Sequence, residues 1–155
     1  MEIKDRVAII TGGGGGIGSA TARKWMSEGA RQVVVADYNE EAALQVAEEL
    51  GCVGVGLDVT NEEAVSQLVD DTETANGPVD IFFSNAGAGA EGGVEASNEA
   101  WQSQWELHVM SHVYAARAVL PSMTAQGEGY LVHTASAAGL LAAVGSAPYS
   151  VTKAA

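Results

Sequence analysis

A single cysteine stands in the 155 residues, so no disulfide can close within the chain, and the apolar neighbours of Cys52 mark it as a small buried thiol. A reducing, cytoplasmic setting is the expectation. Basic residues are scarce as well: seven Lys and Arg against twenty Asp and Glu leave a formal charge of −13. No cluster among the seven could hold a polyanion, which excludes nucleic acid and an anionic membrane as partners. Missing too is any apolar run long enough to span a bilayer, and the charged opening MEIKDR lacks the apolar block of a secretion signal. There is no internal repeat, linker or disordered tail. With 47% hydrophobic residues the chain can build a core, and it reads as one domain over residues 1–155.

What is present is an alternation of short β-branched runs with longer stretches of helical period, the pattern of a parallel sheet wrapped by helices. Strands are expected at Val7–Thr11, Gln32–Asp37, Val53–Leu57, Asp80–Ser84 and Tyr130–Thr134, with helices near 17–29, 40–50, 61–75 and 98–125. The first three strands are nearly continuous apolar runs, as expected when helices cover both faces. Right-handed crossovers then give an α/β fold, a doubly wound parallel sheet of Rossmann type. The small-residue stretch at 135–147, broken by glycines, is expected to be a strand end and loop.

Five consecutive glycines, Gly12 to Gly16, follow the first strand and lead into the first helix at Ile17 and Gly18. Backbone N–H groups and the positive end of that helix would converge there, on a spot suited to a pyrophosphate. Glycine is needed where phosphates approach the backbone and where a turn takes positive φ; a merely flexible loop is the plainer alternative. Asp37 ends the second strand, where a carboxylate would bind the adenosine ribose hydroxyls and repel a 2′-phosphate. It could instead cap the next helix. No Lys or Arg lies in the glycine run or directly after Asp37, so NAD is expected over NADP, with Arg31 the cation near enough in sequence to soften that preference.

Near the end of the chain stand Ser136, Tyr149 and Lys153. Moving a hydride to or from a carbon needs a partner that moves a proton at the attached oxygen. Tyr149 is the natural candidate, and its phenol, with an ordinary pKa of about 10, needs help to act at neutral pH. In a helix opened by YSVTK, Lys153 falls four residues on and shares a face with Tyr149. At about 5 Å and an effective dielectric of about 20 the attraction is roughly 3 kcal/mol, or about two pKa units. Ser136, on another element, would hydrogen-bond the substrate oxygen. A Tyr with a Lys four positions on is also an ordinary solvated helix turn.

Taken together these residues resemble the short-chain dehydrogenase/reductase family, in its compact branch, from Arg6 to the end of the chain. TGGGGGIG, Thr11 to Gly18, is similar to that family's TGxxxGxG through Gly12, Gly16 and Gly18. The same run also fits TGxxGxxG, used by the family's larger sugar-nucleotide branch, and GxGxxG through Gly13, Gly15 and Gly18, so the glycines alone leave the register open. Asp58 and Val59 look like the family's adenine-contacting pair, Asn85, Ala86 and Gly87 match its NAG motif, and Ser136, Tyr149 and Lys153 match its catalytic Ser and YxxxK. The resemblance implies that Lys153 also holds the nicotinamide ribose. It places His108 where the family carries an Asn whose main-chain carbonyl anchors a water of the proton relay, so a modified relay is expected. His108 and His112 are four apart, as in zinc sites, but no Glu follows His108 and no third ligand is evident, so no metal is expected.

The implied function is an NAD-dependent oxidoreductase interconverting a secondary alcohol and a ketone, with a homo-oligomer, dimer or tetramer, as its form. A non-catalytic NAD-binding sensor or structural subunit is the alternative, and sugar-nucleotide epimerase or dehydratase chemistry a third. The family continues well past Lys153, so the resemblance also implies missing C-terminal strands and an apolar sheet edge at the Tyr130 strand.

Overall fold

The computed structural model describes residues 2–141 and 143–155. Five parallel strands, β1 (Val7–Thr11), β2 (Gln32–Asp37), β3 (Val53–Gly56), β4 (Ile81–Ser84) and β5 (Tyr130–His133), form one sheet in the order β3-β2-β1-β4-β5. Helices α1 (Gly16–Ser27), α2 (Glu40–Leu50), α3 (Glu62–Asn76), α4 (Asn98–Trp105), α5 (Ser111–Gln126) and α6 (Ala147–Ala154) connect them or follow them. Side chains alternate across each strand, so the sheet feeds two cores. Val7, Ile9, Val34 and Phe82 face Val65, Leu68 and Val69 of α3 and Ala115 and Val119 of α5. Ile10, Val33, Val35 and Phe83 face Ala22 of α1 and Ala43 and Val46 of α2. Covering both faces is what makes β1 and β2 read as unbroken apolar runs.

The third strand departs from that expectation. It is the outer strand on its side of the sheet, and Val53 is 42% exposed. Its glycines explain how it packs: a Cβ on Gly54 would lie 2.8 Å from the Ala43 carbonyl oxygen, so the strand presses directly on the backbone of α2. At the opposite edge β5 leaves Tyr130 46% and Val132 36% exposed. Asp80 joins the foot of the sheet by accepting from Val7 N–H at 2.8 Å and pairing with Arg6 at 2.9 Å, and Arg6 also meets Glu128 before β5.

One long helix over 98–125 is also revised. A π-turn, Glu106–Met110, separates α4 from α5 and centres on His108. Such wide turns put an extra residue into the ladder and recur at functional sites. The stretch at 135–147 holds a 3₁₀ turn, Ala137–Gly139, and the first residue of α6; position 142 lies outside the described residues.

Candidate active site

The chain runs outward from β1 through β2 to β3, then returns to place β4 on the other side of β1. That reversal opens a crevice beyond the C-terminal ends of β1 and β4, the usual ligand position in an open α/β sheet. A cavity of about 830 Å³ fills it, lined by Gly12, Gly15, Gly16 and Ile17 after β1, Asp37 and Tyr38 after β2, and Leu57, Asp58 and Val59 after β3. Asn85 to Gly89, Leu107, Thr134, Tyr149 and Lys153 complete it.

The glycine run takes one register. Gly12 and Gly16 have φ of +62° and +51°, where L side chains are strained, and a Cβ on Gly12 would lie 2.9 Å from Ala86 Cα. At Gly18 a Cβ would collide with the Gly12 carbonyl oxygen and reach 2.9 Å from Asn85 Nδ2. Gly15 is different: its φ is −164° and nothing stands within 4 Å of an added Cβ. Gly13 and Gly14 are crowded as well, an added Cβ lying 2.7 Å from Val35 Cγ1 and 2.8 Å from Ala42 Cβ, so the register turns on the next pair: Gly16, with its positive φ, needs glycine and Gly15 does not, which is the pattern of TGxxxGxG. Helix α1 starts at this turn with no side-chain cap and no acidic residue in its first turn, whereas Asn39, Asn61 and Ser97 cap α2, α3 and α4. The first amides of α1 are therefore left for an outside acceptor, which fits a pyrophosphate.

Asp37 does not cap α2; Asn39 does, accepting from Ala42 N–H at 3.2 Å. The Asp37 carboxylate instead accepts from Gly14 N–H and Asn39 N–H, both at 2.9 Å, and so is fixed at the cavity rim with acceptor capacity to spare. Asp58 is exposed at the same end and is held by Thr60 N–H at 2.9 Å, while Val59 is buried beneath it. Of the seven Lys and Arg only Lys153 lines the cavity. Arg31 precedes β2 and its guanidinium lies 3.8 Å from where a Gly77 Cβ would stand, at the far end of the strand from Asp37.

At the other end of the crevice a hydrogen-bond chain knits β1, β4, β5 and α6 together. Thr11 Oγ1 accepts from the amides of Asn85 and Ala86 at 3.1 and 3.2 Å, and Asn85 Nδ2 donates to the Thr11 and Gly12 carbonyls at 3.2 Å. Thr134 donates to Asn85 Oδ1 at 2.8 Å, and its own carbonyl accepts from Lys153 Nζ at 3.1 Å. Lys153 Nζ stands 5.9 Å from the Tyr149 ring centre and 3.6 Å from where a Gly87 Cβ would be. Burial lowers the Lys153 pKa below its ordinary value, and Tyr149 partly opposes the shift. Ser136 does not line the cavity; it caps the 3₁₀ turn, accepting from Ala138 N–H at 3.1 Å, which leaves its hydroxyl hydrogen to donate. Gly92 ties the loop after β4 to the start of α6, donating to Gly145 O at 2.8 Å and accepting from Ala147 N–H at 2.9 Å.

His108 sits behind the cavity wall, 3% exposed. Its Nδ1 lies 3.0 Å from Thr152 Oγ1, its Nε2 accepts from Ala88 N–H at 3.4 Å, and its ring meets Tyr149 edge-on at 5.2 Å and 83°. Burial, then the charge of Lys153, lowers its pKa to about 4. His112 turns elsewhere and stacks on His133 of β5 at 4.5 Å, its pKa lowered to about 4 by burial and by its cationic and imidazole neighbours. Among the described residues no group of three or more His, Cys, Asp or Glu side chains is placed so that it could hold a metal ion.

Thr11, Thr134 and Thr152 were missed from the sequence as positioning residues, as were Tyr38, Leu57 and Leu107 on the lining. Thr11 and Thr152 lie inside the TGGGGGIG and YSVTK segments, a signal that was available; Thr134 and Leu107 act through long-range packing and carry none.

A sequence profile described as short chain dehydrogenase matches residues 6–155. An uncharacterised oxidoreductase of Staphylococcus aureus (strain USA300) is 36% identical over 157 residues, which cover 99% of this chain and 68% of that protein. One from Staphylococcus saprophyticus is 32% identical over 162 residues, covering all of this chain and 69% of its own length. Among solved structures, a short chain dehydrogenase/reductase of Burkholderia phymatum in complex with NAD superposes with a TM-score of 0.92 at 36% identity. L-sorbose reductase of Gluconobacter frateurii, complexed with NADPH and L-sorbose, gives 0.87 at 36% identity. Each covers 99% of this chain, which spans 57% and 62% of their lengths. Profile, relatives and superposed sheets agree on one ancestry, and the chain belongs to the short-chain dehydrogenase/reductase family.

Proposed function

We propose that the chain serves an NAD-dependent oxidoreductase that interconverts a secondary alcohol and a ketone. The observation that carries this reading is that Tyr149 and Lys153 line the same crevice as Gly12 and Gly16, so a phenol and an ammonium stand at one end of a cleft whose floor is bare backbone. The glycine turn and the free amides of α1 would hold a pyrophosphate, Asp37 the adenosine ribose, and Asp58 with Val59 the adenine. Asn85, Ala86 and Gly87 would form the wall beside a nicotinamide, and Lys153 would reach its ribose. When bound, the nicotinamide supplies or accepts the hydride.

The protein side of the chemistry is a proton at one oxygen. Ser136 donates a hydrogen bond to the substrate oxygen, and Tyr149 gives or takes the proton there. Lys153 favours the phenolate by its charge. The main-chain carbonyl of His108, in the π-turn, links the site to solvent. The Burkholderia structure holds NAD and the Gluconobacter one NADPH. Choice between the two therefore rests on this chain's own residues: a carboxylate at position 37 and no cation beside it support NAD.

Tyr149→Phe tests the assignment. The variant should lose roughly 10²- to 10⁴-fold in turnover on an alcohol and ketone panel while NAD affinity by calorimetry stays unchanged. Full activity in that variant refutes the role of Tyr149. Cofactor binding by the wild type without turnover of any alcohol or ketone would favour the sensor or structural subunit instead.

A further inference from the structure

His108 bridges two segments that carry opposite halves of the site. Ala88, next to the NAG turn, gives its N–H to Nε2, and Thr152, between Tyr149 and Lys153 on α6, meets Nδ1. Only one neutral tautomer suits both Ala88 and Thr152. Since Nε2 receives an N–H it is bare, so Nδ1 carries the hydrogen and donates to Thr152 Oγ1, whose own hydrogen has the carbonyls of Pro148 at 2.9 Å and Tyr149 at 3.2 Å as acceptors. Both ring nitrogens are thus occupied, in a ring 3% exposed, against which the Tyr149 ring is packed edge-on.

We propose that His108 and Thr152 form a strut that fixes Tyr149 relative to the cofactor turn, the imidazole acting as a neutral spacer that carries no proton during turnover. This rests on the function proposed above and deepens it, because the residue being positioned is the proton donor. A proton added at Nε2 would set two donors against each other at Ala88. The charge around the ring disfavours it too: the Lys153 ammonium from α6 repels a second positive charge, Tyr149 from the same helix packs edge-on against the ring, and His112 of α5, stacked on His133, has its own pKa lowered to about 4. The pKa of about 4 agrees with a ring uncharged at neutral pH. A strut matters because displacing a reacting group by about 1 Å can cost about 100-fold in rate.

Two pairs of variants separate a strut from a proton carrier. Gln at 108 offers a donor and an acceptor and does not titrate; Leu offers neither. His108→Leu should lower kcat about 100-fold and His108→Gln should recover about tenfold of that loss, with KM for NAD changing less than kcat. Thr152→Val should cost about tenfold in kcat, and Thr152→Ser, which keeps the hydroxyl, should recover most of it. The pH profile of the Gln variant should keep the wild-type shape between pH values of about 5 and 9. A Gln variant as inactive as Leu, a neutral-pH inflection that vanishes with the imidazole, or a Val variant equal to wild type would overturn the strut. ¹⁵N imidazole spectra of the wild-type chain supply a readout independent of turnover: protonated Nδ1 and bare Nε2 at neutral pH support the strut, and the reverse tautomer or a charged ring overturns it. A wild type inactive on every alcohol and ketone would count against the proposed function alone, and those spectra would still decide the strut.

Discussion

Five identical residues in a row do not carry one and the same demand. In TGGGGGIG the composition is silent about register, and only the backbone separates Gly15, extended and with open space above its Cα, from its neighbours, Gly12 and Gly16 at positive φ and Gly13, Gly14 and Gly18 wedged against other groups. Gly18 is the sharpest case, since its missing Cβ is what lets α1 close on the Gly12 carbonyl and Asn85. Gly18→Ala should therefore push α1 from the turn and weaken NAD binding at least about tenfold, by roughly 1.4 kcal/mol or more. Gly15→Ala should fold with unchanged thermal stability and retain the larger share of NAD affinity. Calorimetry with NAD and a thermal melt on both variants check this; equal losses would mean that the run is a generic flexible loop. At this scale the sequence was legible for residues whose chemistry is their own, such as Asp37, Tyr149 and Lys153, which line the predicted cleft. It was less so for Ser136, whose hydroxyl caps a turn and is not among the groups that line the cavity, and for His108, whose role depends on Ala88 and Thr152 meeting it from distant segments.

Strands were the elements read best, each within one residue at either end, because short β-branched runs between glycines and helical stretches are a local signal. The π-turn was invisible, since the pattern of apolar spacing runs through it, and so was the outer position of β3, which only the pairing order reveals. Packing between elements also sets how the fold responds to acid. His108 is buried at the π-turn, and His112 of α5 is stacked on His133 of β5; all three imidazoles have pKa values below the ordinary one through burial, the first two at about 4. In the unfolded chain these groups take up protons near a pH of about 6.5, and in the folded chain they resist until lower pH. Between those limits the unfolded state binds more protons, so stability is full above the unfolded pKa and falls as pH drops. The urea midpoint should decline from pH values of about 7 to about 5, before most carboxylates titrate, and His112→Gln should flatten that slope. A midpoint constant over that range would show that the imidazoles take up protons equally in the folded and unfolded chains.

For the whole molecule the governing fact is an excess of acid: with a formal charge of −13 and seven cations, every Lys and Arg has a recognisable post. Arg23 pairs with Glu49, Arg117 with Glu62, Lys24 with Glu28 and Arg6 with Asp80 and Glu128, while Lys4 packs near Gly29 and Arg31 near Gly77. Lys153 is the cation left in the crevice, and it donates to Thr134 O at the end away from Asp37. The sequence left Arg31 in doubt only because Asp37 follows it by six residues; extended as β2 that stretch spans about 20 Å and carries the two to opposite ends of the strand. A 2′-phosphate would therefore meet a carboxylate and no cation. At about 5 Å and an effective dielectric of about 20 that repulsion is roughly 3 kcal/mol, so NAD should bind about 100-fold more tightly than NADP at low salt. Added salt should narrow the gap, because the rim is open to solvent and the interaction is screened. Asp37→Ser with Tyr38→Arg, which removes the carboxylate and puts a guanidinium at the exposed rim position, should reverse the preference. Calorimetry with both cofactors on wild type and the double variant checks the argument; equal affinities in the wild type would mean that charge at this rim does not select the cofactor.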